Sequence, residues 1–147
     1  MTSTPDTPDA VVRQWFKEVW DDGHEDAIGR ILAPDARVHG LNGVGGLPII
    51  GPEHFTPFFR TFQSALRDIS IVVQRTVVQD DMCAAFCRVT AVHAGDTFGA
   101  PATGEMVDFT GISIARVRDG KIVEAWNCFD FLSMYQQIGW VRNPPLP

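Results

Sequence analysis

The stretch "FTGISIARVRDGKIVEAWNCF", residues 109 to 129, decides the fold, because two strand patterns meet there at one turn signal. Both arms are rich in β-branched and aromatic side chains, as β-strands are. The pair Asp119-Gly120 between them is a strong signal for a tight hairpin turn. We therefore predict an antiparallel hairpin in this part of the chain.

Two further runs of the same kind precede this hairpin, "ISIVVQRTVVQ" at 69–79 and "MCAAFCRVTAVHAG" at 82–95. Asp80-Asp81 separates the two runs, and a loop with glycine and proline follows them. Together with the hairpin, they predict four long strands in meander order.

The first half of the chain has helical spacing instead. Hydrophobic residues recur every three or four positions in "PDAVVRQWFKEVWDDG" (8–23), "HEDAIGRILAP" (24–34) and "PEHFTPFFRTFQSALRD" (52–68). "DARVHG" (35–40) predicts a short strand, and the five glycines of 40–51 predict an irregular loop. Three helices followed by antiparallel strands predict one α+β domain over residues 1–147, with the helices on one face of a curved sheet and tails at 1–8 and 141–147.

Composition excludes several classes of function. Twelve basic and eighteen acidic residues give a net charge of -6, and no run of Lys or Arg exists that would bind nucleic acid. The N-terminus lacks the pattern of a signal peptide, and no apolar run is long enough to span a bilayer. We therefore expect a cytoplasmic protein that binds neither nucleic acid nor membranes.

The three cysteines predict neither a disulfide nor a metal site. On one strand, Cys83 and Cys87 would lie roughly 13 Å apart, which is too far for a disulfide. The chain has four histidines and neither a Cys-x-x-Cys nor a His-x-x-x-His pair, so we expect no metal.

Three segments carry a resemblance to a known family: "HAGDTFGAPATG" (93–104), "FTGISIARVRDGKIVEAW" (109–126) and "QQIG" (136–139). In order and spacing they resemble the SnoaL-like polyketide cyclases, also called SnoaL-like ester cyclases, of the nuclear transport factor two-like superfamily. The resemblance implies a cone-shaped α+β barrel, in which a curved, mostly antiparallel sheet wraps around about three helices and encloses an apolar pocket. It also implies a homodimer that pairs the outer sheet faces, and chemistry without a cofactor.

The chain departs from the family pattern at the acid/base pair. Where cyclases of this kind often carry a histidine and an aspartate, this sequence has Ser113 and Asn127. The place of the ketosteroid isomerase aspartate is taken by Gly40, and the Asp-Arg-Asp set of limonene epoxide hydrolases is not recognisable. Asn127 cannot shuttle a proton near neutral pH, but it could hold a developing enolate oxygen. The other interpretation is a buried amide bonded to backbone at a strand end.

The length of the hairpin loop decides whether Ser113 and Asn127 share a face. A two-residue loop pairs 112 with 127 and separates the two side chains, whereas a three-residue loop of 118–120 pairs 113 with 125 and puts Ser113 diagonal to Asn127. We expect the three-residue loop, because the family's pair acts together. The pocket face then carries Phe109, Gly111, Ser113, Ala115, Ala125, Asn127 and Phe129. The apolar outer face carries Ile112, Ile114, Trp126 and Cys128, which predicts a homodimer interface through Ile112, Ile114 and Trp126.

Further residues complete the predicted site. His39 is expected at the pocket mouth as a third catalytic residue with Asn127 and Ser113, since an imidazole suits acid/base work. His93 and His54 are expected at the surface, and Asp130 as a helix cap. The predicted substrate-binding residues are Trp15, Asn42, Phe55, Phe59, Phe62, Phe109, Ala125 and Phe129.

These features predict a cofactor-independent cyclase or isomerase that acts on a hydrophobic polyketide-type intermediate. Without the ionisable pair, ring closure would depend on positioning and neutral hydrogen bonds, as in a pericyclic or epoxide-opening reaction. The alternatives are a non-catalytic binding protein for a small apolar ligand, and an interaction module with a plugged pocket.

Overall fold

The computed structural model describes residues 7–42, 46–99 and 101–142. Residues 1–6 and 143–147 of the expected tails lie outside this part, as do 43–45 of the glycine-rich loop. The described helices are α1 (Pro8–Trp15), which continues as a π-helical segment (Phe16–Asp21), α2 (Asp26–Ile31), α3 (Gly51–Ala65) and α4 (Phe131–Gln137). Within the described ranges, no helix is long and apolar enough to cross a membrane.

The strands form one six-stranded sheet. They are β1 (Leu32–His39), β2 (Ile49–Ile50), β3 (Leu66–Gln79), β4 (Met82–His93), β5 (Met106–Arg118) and β6 (Lys121–Phe129), in the order β2-β1-β6-β5-β4-β3. All neighbours are antiparallel except β1 and β6, which run parallel. The sheet curls around the helices without closing. The predicted α+β class, the four long strands and the three N-terminal helices are confirmed, whereas β2 lies in the segment expected to be irregular.

The concave face of the sheet is lined by small side chains, which leaves room for large ones from the helices. On β4, the buried positions alternate, and Cys83, Ala85 and Cys87 are completely buried there. Aromatic rings from the helices fill the space: Trp15 of α1 meets Phe55 of α3 edge to face, with centroids 5.1 Å apart. The core therefore lies between this face and α1 and α3.

The β5–β6 turn differs from the one expected. Arg118 pairs with Lys121, so the loop contains only Asp119 and Gly120, and the expected three-residue loop is wrong. Both loop residues have positive φ, 52° and 74°, as a type I′ turn requires. Asn or Asp followed by Gly is the preferred pair for this turn, since Asp tolerates and Gly favours the left-handed conformation.

A β-bulge in β6 restores the shared face that a regular two-residue hairpin would have lost. Val123 has no partner in the ladder, and beyond it Ser113 pairs directly with Asn127. Directly opposed residues point to the same face of a sheet, so both side chains face the helices. The bulge also places Ile122 on the inner face, where it is 4% exposed.

Candidate functional site

An apolar cavity of about 80 Å³ lies between the concave face and the helices. Among the described residues that line it, only Ser113 and Asn127 carry a side-chain oxygen, Trp15 and Trp20 each carry an indole N–H, and none has an ionisable side chain. Six of the predicted substrate-binding residues line it: Trp15, Phe55, Phe62, Phe109, Ala125 and Phe129.

Two of the predicted substrate-binding residues lie elsewhere. On α3, positions 55, 58 and 62 form the stripe that faces the cavity, and Phe59 lies at its edge, where its ring packs on Trp20 with centroids 5.4 Å apart. Asn42 lies outside the cavity, because its amide donates to the carbonyl of Leu47 within the loop, at 2.9 Å. Neither residue lines the cavity, although Asn42 lines an adjacent surface depression.

Several lining residues were not predicted from the sequence. Phe58 and Phe131 both line the cavity, and Phe131 closes one end of it, with its ring 5.7 Å from that of Phe62 and 6.0 Å from that of Phe109. Phe131 is the first residue of α4. As predicted, Asp130 caps this helix, because its side chain accepts a hydrogen bond from the backbone amide of Ser133. The cap therefore fixes the position from which the Phe131 side chain enters the cavity. The sequence predicted the cap but not this contact with the cavity, because the contact forms only in the folded protein.

The Asn127 side chain is held by the neighbouring strand. Its Nδ2 donates to the backbone oxygen of His39, at 3.1 Å. The close approach depends on Gly40, whose φ is 89° and where a Cβ would lie 2.0 Å from the backbone oxygen of Asn127. Of the two interpretations, the amide bonded to backbone at a strand end agrees with this hydrogen bond, although Asn127 is half-buried and not fully buried.

The other end of the Asn127 amide, its Oδ1, is left free by the described residues to interact with a molecule in the cavity. Among the described residues, neither Asn127 Oδ1 nor Ser113 Oγ has a hydrogen-bond partner in the protein, and both side chains line the cavity. Ser113 is only 5% exposed. The site thus presents one amide oxygen and one hydroxyl, side by side on paired strands, in a wall that is otherwise aliphatic and aromatic.

His39 does not lie at the cavity mouth as expected. Alternation along β1 puts Val38 into the cavity and His39 on the outer face of the sheet. There, Nε2 of His39 lies 2.8 Å from Oε2 of Glu124, and the imidazole stacks on Trp126 with centroids 5.7 Å apart. Only the backbone oxygen of His39 serves the site, through its bond from Asn127.

His93 is completely buried, although we expected it at the surface. It ends β4 on the same side as the other buried residues of that strand, and its Nδ1 accepts from the amide of Thr103 at 3.2 Å and lies 3.0 Å from the Thr103 hydroxyl. Its ring stacks on Phe98, which in turn meets Phe62 at 5.0 Å. His93 therefore fastens the 94–105 loop and, through Phe98, supports one wall of the cavity.

Neither buried cysteine has the character of a nucleophile. Burial raises the pKa of Cys87 to about 12 and also raises the pKa of Cys83, so both remain thiols near neutral pH. The described residues contain no group of three or more His, Cys, Asp or Glu side chains that could hold a metal ion.

A curved sheet that encloses an apolar cavity against helices defines a class of α+β proteins, within which sequence identifies the family. The family model for the SnoaL-like polyketide cyclase matches residues 10–138. The chain belongs to the SnoaL-like polyketide cyclase family, as the resemblance of its motifs implied.

Solved structures of other proteins have the same fold as this chain. IdmH from Streptomyces antibioticus, a candidate polyketide cyclase, is 29% identical with a TM-score of 0.78, over 90% of this chain and 98% of that one. A candidate SnoaL-like polyketide cyclase from Jannaschia sp. CCS1 is 23% identical with a TM-score of 0.79, over 99% of both chains. A protein with a ketosteroid isomerase-like fold from Catenulispora acidiphila is 17% identical with a TM-score of 0.73, over 94% of this chain and 99% of that one. No curated protein matches the sequence.

Proposed function

We propose that this protein is a cofactor-independent cyclase or isomerase that acts on a hydrophobic polyketide-type intermediate. Membership of the polyketide cyclase family supports the reaction class. The observation that carries the proposal is the cavity wall, which is aliphatic and aromatic except for Ser113 and Asn127. A concave, mostly apolar site with a few placed polar groups is typical of small-molecule binding.

The chemistry follows from what the wall contains. With no ionisable side chain among the described lining residues, the cavity has no group of its own to carry a proton between substrate atoms. The proposed reaction is therefore a ring closure that depends on holding the substrate in a reactive conformation, such as a pericyclic step, or an epoxide opening in which the proton of the attacking substrate hydroxyl passes to the epoxide oxygen within the substrate. In a pericyclic closure, bonds form and break within one molecule, so no external acid or base is needed.

The size of the cavity limits how a substrate enters. Its volume of about 80 Å³ is below the 300–1,000 Å³ that is typical of ligand pockets. Four aromatic side chains of the wall are only partly buried: Phe58, Phe62, Phe129 and Phe131. Phe58 also lines the adjacent surface depression, so we place the entrance beside it.

A non-catalytic binding protein for a small apolar ligand is the second candidate, and the same lack of an ionisable group favours it. The two functions are separated by product formation. The purified protein is incubated with linear polyketide and terpenoid precursors, including epoxides, and products are identified by liquid chromatography and mass spectrometry. A product of unchanged mass supports a cyclase or isomerase, whereas one heavier by one water indicates an epoxide hydrolase.

Two variants tie a product to the cavity. Ser113→Ala and Asn127→Ala remove the polar groups, and Thr110→Ala, an exposed position on the same strand as Ser113, is the matched control. Turnover that falls in the first two variants and persists in the control supports catalysis in the cavity. Thermal stabilisation by a precursor without any product favours the binding protein.

A further inference from the structure

We propose that the cavity selects ligands that carry a hydroxyl group on an otherwise apolar skeleton, and that Asn127 Oδ1 and Ser113 Oγ bind that hydroxyl together. This inference rests on the proposed function, since it requires a ligand in the cavity. It names the polar feature that the ligand must have.

The first step is the orientation of the amide. The partner of the Asn127 side chain is a carbonyl oxygen, that of His39, which can only accept a hydrogen bond. The NH₂ end must therefore face β1, because the reverse orientation would place two acceptors 3.1 Å apart. The absence of a side chain at Gly40 allows this approach, so the orientation is built into the backbone of β1.

The second step is the polarity that this orientation leaves for the ligand. The Nδ2 end is engaged outside the cavity, and Oδ1 has no donor among the described residues. An oxyanion placed beside Oδ1 would meet the negative end of the amide dipole. Asn127 is thus suited to accept a hydrogen bond from the ligand, and the enolate-holding role that its residue type allowed is disfavoured.

The third step is the adjacent hydroxyl. Ser113 and Asn127 are directly paired, so their Cβ atoms lie about 5 Å apart. A ligand hydroxyl between them can donate to Oδ1 and accept from the Ser113 hydroxyl at the same time. An ether or ketone oxygen can only accept, so it leaves Oδ1 buried without a partner, and a methyl group leaves both polar atoms unpaired.

Three bicyclic probes of one skeleton test the inference: 2-naphthol, 2-methylnaphthalene and 2-methoxynaphthalene. Dissociation constants are measured by calorimetric titration for the wild type and for Asn127→Leu, with Thr110→Ala as the control. The measured quantity is the dissociation constant of 2-methylnaphthalene divided by that of 2-naphthol. Comparing this ratio between variants removes the difference in water-to-cavity transfer between the probes.

We expect this ratio to fall about tenfold in Asn127→Leu and to stay unchanged in Thr110→Ala. In the leucine variant 2-naphthol loses a hydrogen bond and 2-methylnaphthalene no longer leaves a buried Oδ1 unpaired, and the two effects together correspond to about tenfold. We also expect 2-naphthol to bind the wild type more tightly than 2-methoxynaphthalene, a comparison that holds even if the leucine variant fails to fold. A ratio that changes less than twofold, or equal affinities of the hydroxyl and methoxy probes, overturns the inference and leaves the proposed function in place. If none of the three probes binds, both are overturned.

Discussion

Replacing Gly40 by alanine tests whether the close approach of β1 and β6 positions the site. Gly40 follows the last residue of β1, where the chain passes over the backbone of Asn127. An added Cβ would lie 2.0 Å from the Asn127 oxygen and 3.0 Å from its carbonyl carbon. Since these are backbone atoms, no side-chain rotation relieves the clash, and the end of β1 must move away from β6.

The expected decrease in the free energy of unfolding of Gly40→Ala has three contributions. A φ of 89° is left-handed, which costs an L-residue about 1–2 kcal/mol. Moving the end of β1 stretches both the ladder at His39 and the bond from Asn127 Nδ2, each worth about 1 kcal/mol. We expect Gly40→Ala to lower the free energy of unfolding by about 3–4 kcal/mol, which corresponds to a Tm lower by about 10 °C in a domain of this size.

The control is the same substitution at Gly29, an exposed position in α2 where an added Cβ meets nothing within 4 Å. Alanine there is expected to raise stability by about 0.5–1 kcal/mol, because it forms helix better than glycine. Thermal unfolding followed by circular dichroism measures both variants against the wild type. A Tm for Gly40→Ala within about 2 °C of the wild type would show that the approach of the two strands is not needed, and would remove the basis for the fixed amide.

Three further predictions concern the rest of the molecule. His93→Leu leaves the donors of Thr103 unpaired, so the backbone amide of Thr103 should exchange hydrogen faster than in the wild type. His93→Asn keeps an acceptor near the position of Nδ1, so the same amide should retain more protection. Equal exchange in the two variants would contradict the proposed role of His93 in holding Thr103. Ile112 is 45% exposed on the outer sheet face. We expect the wild type to sediment as a homodimer in sedimentation velocity and Ile112→Lys to sediment as a monomer. A wild type that sediments as a monomer would contradict this expectation. At pH 8, iodoacetamide should spare Cys87, whose pKa burial raises to about 12, and should label Cys128, which is exposed in the single chain, once Ile112→Lys has opened the proposed interface. Mass spectrometry that finds label on Cys87 in the folded protein would contradict this.

The helices and long strands were predictable because their signals are local. Period-two alternation in β4 and β5 and helical spacing in α1 and α3 each arise from an element with one face in the core. Family membership was also contained in the sequence, in motifs with fixed spacing. The strand β2 escaped prediction because two residues carry no period.

The residues of the site were predicted in part. Ser113, Asn127 and six of the eight expected substrate-binding residues line the cavity, whereas His39, Asn42 and Phe59 do not, and Phe58 and Phe131 were missed. Ser113 and Asn127 were expected to face the same side, and they do, but through a bulge at Val123 that no turn rule forecasts. His39 and His93 were assigned to the wrong sides, since a strand pattern gives the alternation of side chains without saying which side is covered by helices.

The sequence by itself determined the α+β class, the three N-terminal helices, the four long strands and their order, because each of these elements is encoded within a few consecutive residues. Only the tertiary structure decided which end of the Asn127 amide faces the cavity. That choice depends on a carbonyl 88 positions away along the chain, on a strand that runs parallel to β6, and on a glycine that lets the two backbones meet. Long-range contacts of this kind have no local signature, since they exist only once the whole sheet has formed.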